Sequence, residues 1–296
     1  MPISTKIDAK DFYKNLPTIG HETGDIWYGI PSFGMLNKNF VSAVVITPAC
    51  DLSQNKSETV TILPIVSIFD YLHSKSFYGD VWNEFYSTLK QYGADDFLPK
   101  SKFSHPPKEK LEEVMQKIEG IKATANLYEK LKIYVEYINY TELPANDRKA
   151  ITKPDLLKIF SPKKYDEILK KIFTNSYKSD IHFFPALLNA GEFSAISAHS
   201  VALFRYAYSI PVEILDAAQI SSQEWWPKDC NDLSKEFPII SNFHNWPIKL
   251  SALKDDFLSD LLSRYLSMFM RLGSRDFTTH TINQFITEVK GGVTCI

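Results

Sequence analysis

The sequence predicts an α+β fold: a small antiparallel β-sheet or barrel, interrupted by a helical insertion and closed by a C-terminal amphipathic helix. Three observations predict it. Short β-branched runs separated by turn residues fill residues 18–69 and return over 180–215. Between them, from 70 to 176, the apolar spacing becomes helical and good helix formers dominate. Near the end, Leu250, Leu253, Phe257, Leu261, Tyr265 and Phe269 recur at three- and four-residue steps, which makes one apolar helix face.

Taken in order, Ile7 to Leu16 reads as a short opening helix ended by Pro17. "GDIWYGIPSF" then gives a turn and an aromatic-rich strand. Val41 to Thr47 is nearly continuously apolar, as a buried strand should be, and "ETVTILPIVSIF" makes a third strand after the polar "SQNKS". In the insertion, "DYLHSKSFYGDVWNEFYSTLKQYG" has helical spacing, and a longer helical run follows Pro106 and Pro107. "KPDLLKIFSPKKYDEILKKIFTN" adds two shorter helices, the second with Ser161 as N-cap and Pro162 at the first helical position. "DIHFFPALL", a turn at Asn189 to Gly191, "FSAISAHSVALFRYA" and "YSIPVEIL" restore strand texture. Gly273 sits where a helix C-terminal glycine would. The expected organisation is a core of 1–69 and 177–296 with 70–176 inserted as a basic helical unit.

The 296 residues, 44% hydrophobic and 23% charged, suffice for a substantial core. A net charge of −2 predicts no general attraction to nucleic acid or anionic membrane, yet Lys100 to Lys178 carries an excess of Lys and Arg. That stretch is either a docking face or a solvated helical surface. Cys50, Cys230 and Cys295 lie far apart with neither zinc spacing nor a disulfide framework. The start of the chain lacks a signal-like apolar core, and no apolar run approaches ~18 residues. A cytoplasmic protein without membrane span, metal or cofactor is expected. Walker, GxSxG, HExxH and paired-glycine motifs do not occur, which leaves ATPase, serine hydrolase and zincin chemistry unsupported.

Cys50 and Asp51 follow the most apolar strand. A cysteine nucleophile needs a neighbouring histidine, cation or helix N-terminus, and His182 or His199 on the returning strands could supply it. The plainer reading makes Cys50 a small hydrophobe and Asp51 an Asx-turn cap. His182, beside two aromatics and a proline, is either a rim that stacks a base or peptide side chain, or a packed edge-strand histidine. On the last helix stand Arg264 and Arg271. Arg271 could pair with Asp51 or hold a phosphate, or simply complement the helix dipole. "EWWPKDC" reads as packing or an interface.

Gly24-Asp25-Ile26, Val44-Val45-Ile46 and Ser67 resemble the opening of the MazF/PemK-like small barrel. The resemblance implies an antiparallel SH3-like β-barrel and, at its furthest, an endoribonuclease toxin with an altered active site. Where that family has an arginine before its second strand, this chain reads Asn39-Phe40-Val41-Ser42, so Arg205, His182 or His199 would have to serve phosphate or proton. Cys50-Asp51-Leu52, Phe183-Phe184-Pro185, Ile210-Pro211 through Leu215, and Arg271-Leu272-Gly273 are together similar to a group of poorly characterised bacterial proteins of defence and mobile-element clusters. This second resemblance implies a non-catalytic binding or regulatory subunit. Its protein or nucleic-acid partner would dock on the basic insertion, and Cys50, Asp51 and Arg271 would hold the sheet and final helix together.

Overall fold

The computed structural model describes residues 11–270, apart from 15–16, 34–37, 55, 94–105, 107, 120–123, 145 and 187–195. In chain order the elements are β1 (Asp25–Pro31), β2 (Phe40–Val45), α1 (Ala49–Ser53), β3 (Thr59–Ser67), α2 (Ile68–Leu72), α3 (Tyr78–Gln91), α4 (Lys108–Ile118), α5 (Ala125–Glu142) and α6 (Pro162–Phe173). There follow β4 (Ile181–Phe184), β5 (Ser200–Leu203), β6 (Tyr208–Pro211), α7 (Val212–Ile220), α8 (Trp226–Leu233), β7 (Ile248–Ala252) and α9 (Asp255–Phe269).

The strands form one antiparallel sheet in the order β4-β5-β3-β2-β1-β7. β3 is its axis. On one edge, Val45↔Ile62 to Ser42↔Ile65 pair it with β2. On the other, its first half pairs with β6 and its last residues with β5, which makes β5 and β6 two pieces of one broken edge. β4 and β7 end the sheet and do not pair with each other among the described residues, so the sheet is open. This corrects the expectation of a closed SH3-like barrel. A small barrel buries its inner face on itself, whereas here helices cover both faces and β3 is buried on both sides along its centre.

The period of two in the strands divides the core. On one face, Val41, Val66, Ile181, Val201 and Leu203 join the aromatic core of the helical unit, where Phe85 and Tyr134 stack at 4.8 Å. The same face nearer β1 carries Trp27, Ile30, Ala43, Val45 and Ile62 against Ile214 and Leu215 of α7 and Trp226 of α8. On the opposite face, Ile26, Val44, Leu63, Ile65 and Phe184 pack with Leu261 of α9. The molecule is therefore helix, sheet, helix in layers, and the helical insertion lies on the sheet rather than standing apart from it.

Several sequence expectations meet their elements. Ser161 Oγ accepts the Lys164 amide at 3.3 Å and Pro162 opens α6. Three are corrected. Residues 212–215, expected as strand, begin α7: Pro211 precedes the helix, Glu213 sits in its first turn, and Ala217 and Ala218 are strong helix formers. The final helix begins at Asp255, not near Leu250, because Ile248 to Ala252 pair with β1 as an edge strand. The described part of the opening helix is a turn and a bridge, Tyr13 to Leu253. The turn at Asn189 to Gly191, Gly273 and Cys295 lie outside the described residues.

Candidate functional site

Cys50 lies in the short α1 after Pro48, and its side chain is exposed. Its Sγ meets Asp51 Oδ1 at 3.5 Å, and among the described residues it hydrogen-bonds no histidine or cation. The Asp51 amide donates to Pro48 O at 3.0 Å, and the Asp51 carbonyl accepts from Lys56 at 2.9 Å, so Asp51 helps close a local turn. This turn sits beside Thr61, since the Thr61 amide donates to Thr47 Oγ1 at 2.7 Å. His199 sits at the far end of β3, where its carbonyl accepts from Ile68 at 2.8 Å. Seven residues of strand separate the two ends, on the order of 20 Å. The fold does not bring Cys50 to either strand histidine.

His182 is only 1% exposed and packs between Phe184 and Phe204. Burial, with a smaller contribution from the Arg264 charge, pushes its pKa down to about 3. An imidazole so tuned is neutral at physiological pH and a weak proton acceptor. Its Nδ1 lies 3.9 Å from Asp260, too far for a hydrogen bond. Arg205 is engaged by Asp180 at 2.6 Å. Arg264 donates to Ile181 O at 3.2 Å and fixes α9 to the start of β4. Arg271 lies outside the described residues. The residues that a ribonuclease would have to recruit thus lie along the β4–β5 pair, but His182 is buried, Arg205 is held by Asp180, and the exposed His199 packs against Phe183.

What does come together is a surface at the C-terminal end of α6. There Lys170 and Lys171 are exposed within a turn of Phe173, while Lys158 and Lys163 are exposed further back along the chain, with Asp166 and Glu167 between. Lys164, also exposed, is ion-paired to Glu84. Phe173, 43% exposed, meets Phe183 of β4 edge-to-face at 5.0 Å. The His199 ring completes the group, 5.9 Å from Phe173 and 5.8 Å from Phe183. An Ala186 amide donates to His199 Nδ1 at 3.0 Å and orients that ring. Ammonium groups beside a partly exposed aromatic cluster can neutralise phosphates and stack flat rings. The sequence carried half of this signal, in the basic insertion and in "HFFPALL". The contact between Phe173 and Phe183 belongs to the tertiary fold.

A second feature went unread in the sequence. Asp25, fully buried, meets Lys249 Nζ at 2.7 Å and accepts the Glu22 amide at 2.8 Å. Burial raises the Asp25 pKa, opposed chiefly by Lys249. Lys249 also donates to Thr18 O at 2.9 Å and Gly20 O at 2.6 Å, binding the loop before β1 to β7. The pair is architectural: it sits where β1 and β7 meet.

Among the described residues, no group of three His, Cys, Asp or Glu side chains could hold a metal ion, and no helix is long and apolar enough to cross a membrane. No protein-family model, curated protein or solved structure matches the chain.

Proposed function

We propose that this protein is a non-catalytic binding subunit of a bacterial defence or conflict system, acting in the cytoplasm, whose basic helical unit docks single-stranded nucleic acid. The observation that carries the reading is the pair of exposed lysines, Lys170 and Lys171, within a turn of Phe173, whose ring meets Phe183 and His199, with Lys158 and Lys163 exposed further along the same unit. Phosphates and unstacked bases are the partner chemistry that uses both features at once. The sequence resemblance to defence-cluster proteins points the same way. The burial of His182 and the engagement of Arg205 by Asp180 favour binding over the rival MazF-like endoribonuclease.

The test is fluorescence anisotropy with labelled RNA and DNA strands of about 20 nucleotides. Four engaged lysines give a salt slope of about −3, so affinity should fall roughly 50-fold between about 50 and 200 mM salt. Lys170→Glu with Lys171→Glu should roughly halve that slope, and Phe173→Ala should cost about 1–3 kcal/mol. The labelled RNA should stay intact. Absence of binding at the lower salt sinks the reading, and cleavage of the RNA would move it to the ribonuclease alternative.

A further inference from the structure

At the seam between the helical unit and the sheet lies a cleft of about 320 Å³. Its floor is apolar, made by Ile181 and Leu203, and its walls carry Tyr71, Ser76, Lys178, Asp180, Arg205 and Tyr206. We infer that this cleft binds a small molecule that joins an apolar body to one anionic group, a carboxylate or a phosphate monoester. The inference is separate from the docking reading and uses none of its residues.

The hydrogen-bonding capacity left in the walls is mostly donor. Tyr71 backs the wall, and its hydroxyl is itself buried, with no hydrogen-bond partner among the described residues, so it does not reach into the cleft. Ser76 Oγ and the Tyr206 hydroxyl share one hydrogen bond of 3.0 Å, which leaves one of their two protons to donate elsewhere. Arg205 engages Asp180 through Nε at 2.6 Å, its side chain is 69% exposed, and its terminal nitrogens have the fork geometry that suits carboxylate or phosphate. Lys178 Nζ holds Asp80 at 2.6 Å and lends a second cation to the wall. Asp80 and Asp180 offset much of that positive charge, so the selection is for an acceptor group of low charge and not for a polyanion. Clefts between packed units, apolar with a few convergent polar groups, are the usual place for such ligands.

The experiment titrates the whole chain with inorganic phosphate, adenosine monophosphate and 3-phenylpropionate, read by calorimetry and by the thermal midpoint. Adenosine monophosphate or 3-phenylpropionate should bind saturably with Kd below about 1 mM, and whichever binds identifies the anion class. Arg205→Ala, a change at an exposed site, should weaken that binding about tenfold or more. Tyr206→Phe removes the hydroxyl that shares a hydrogen bond with Ser76 in the cleft wall, and should weaken binding about fivefold. The inference is overturned if neither organic probe binds saturably, if phosphate alone does as well as either, or if both variants bind as the parent does.

Discussion

His182 shows how far burial alone can retune a side chain. Its pKa of about 3, against an ordinary histidine value near 6.5, means that the unfolded chain binds a proton that the folded chain refuses. The folded state therefore loses stability as pH falls below 6.5, down to the folded value. Between pH 7 and pH 5 this one group should cost about 2 kcal/mol. Urea denaturation at the two pH values measures it, and His182→Gln should flatten the dependence by roughly that amount. An unchanged pH profile in the variant would mean that the imidazole is hydrated. Asp25 acts with the opposite sign: its raised pKa favours the protonated carboxyl in the fold, so its desolvation cost is relieved on acidification. At this scale the sequence marked His182 as either a stacking rim or a packed histidine, and its neighbours decide for packing.

Among elements, β7 depends most on a single contact. It is an edge strand of five residues, joined to β1 with a shift in register between Ile26 and Trp27. Lys249 spans that irregularity, holding Asp25 and two carbonyls of the preceding loop. Gly29, at φ +83, lies at the second irregularity of β1, where a Cβ would stand 3.0 Å from Trp246 O, so only glycine fits there. Lys249→Met should destabilise the protein by about 3–5 kcal/mol, because it leaves the Asp25 carboxylate buried without its cation. Adding Asp25→Asn should recover much of that loss. Thermal or urea unfolding of the three variants forms the cycle, and a double variant as weak as the single one would contradict the account. None of this was legible in the sequence, where Leu250, next to Lys249, read as the start of the last helix. Edge-strand pairing, not local propensity, decides their conformation.

In the whole molecule, the helical unit and the sheet share one core. Val66, Val201 and Leu203 belong to the same cluster as Trp82, Phe85 and Tyr134. A unit that buries its apolar side against the sheet should not unfold by itself. Helical circular dichroism and tryptophan fluorescence, with Trp82 in the helices and Trp27 in the sheet, should report one coincident transition. Leu203→Ala should lower both by about 2–5 kcal/mol together. Two separated transitions would show the insertion to be an independent body.

The α+β class, the strand textures of β1 to β3, the helical character of the insertion, the Ser161 cap and the apolar face of α9 were all legible from the order of residues alone. All of these rest on local chemistry: periodicity, proline and capping residues act within a few positions of where they stand. Long-range contacts are what keep the sheet open, since closure depends on what covers its faces and not on any strand's own pattern. They also join Phe173 to Phe183 and Asp25 to Lys249, leave Cys50 without a histidine partner among the described residues, and open a cleft at the seam. Each of those joins or separates residues through pairings between distant segments, and no local signal in the chain encodes such pairings.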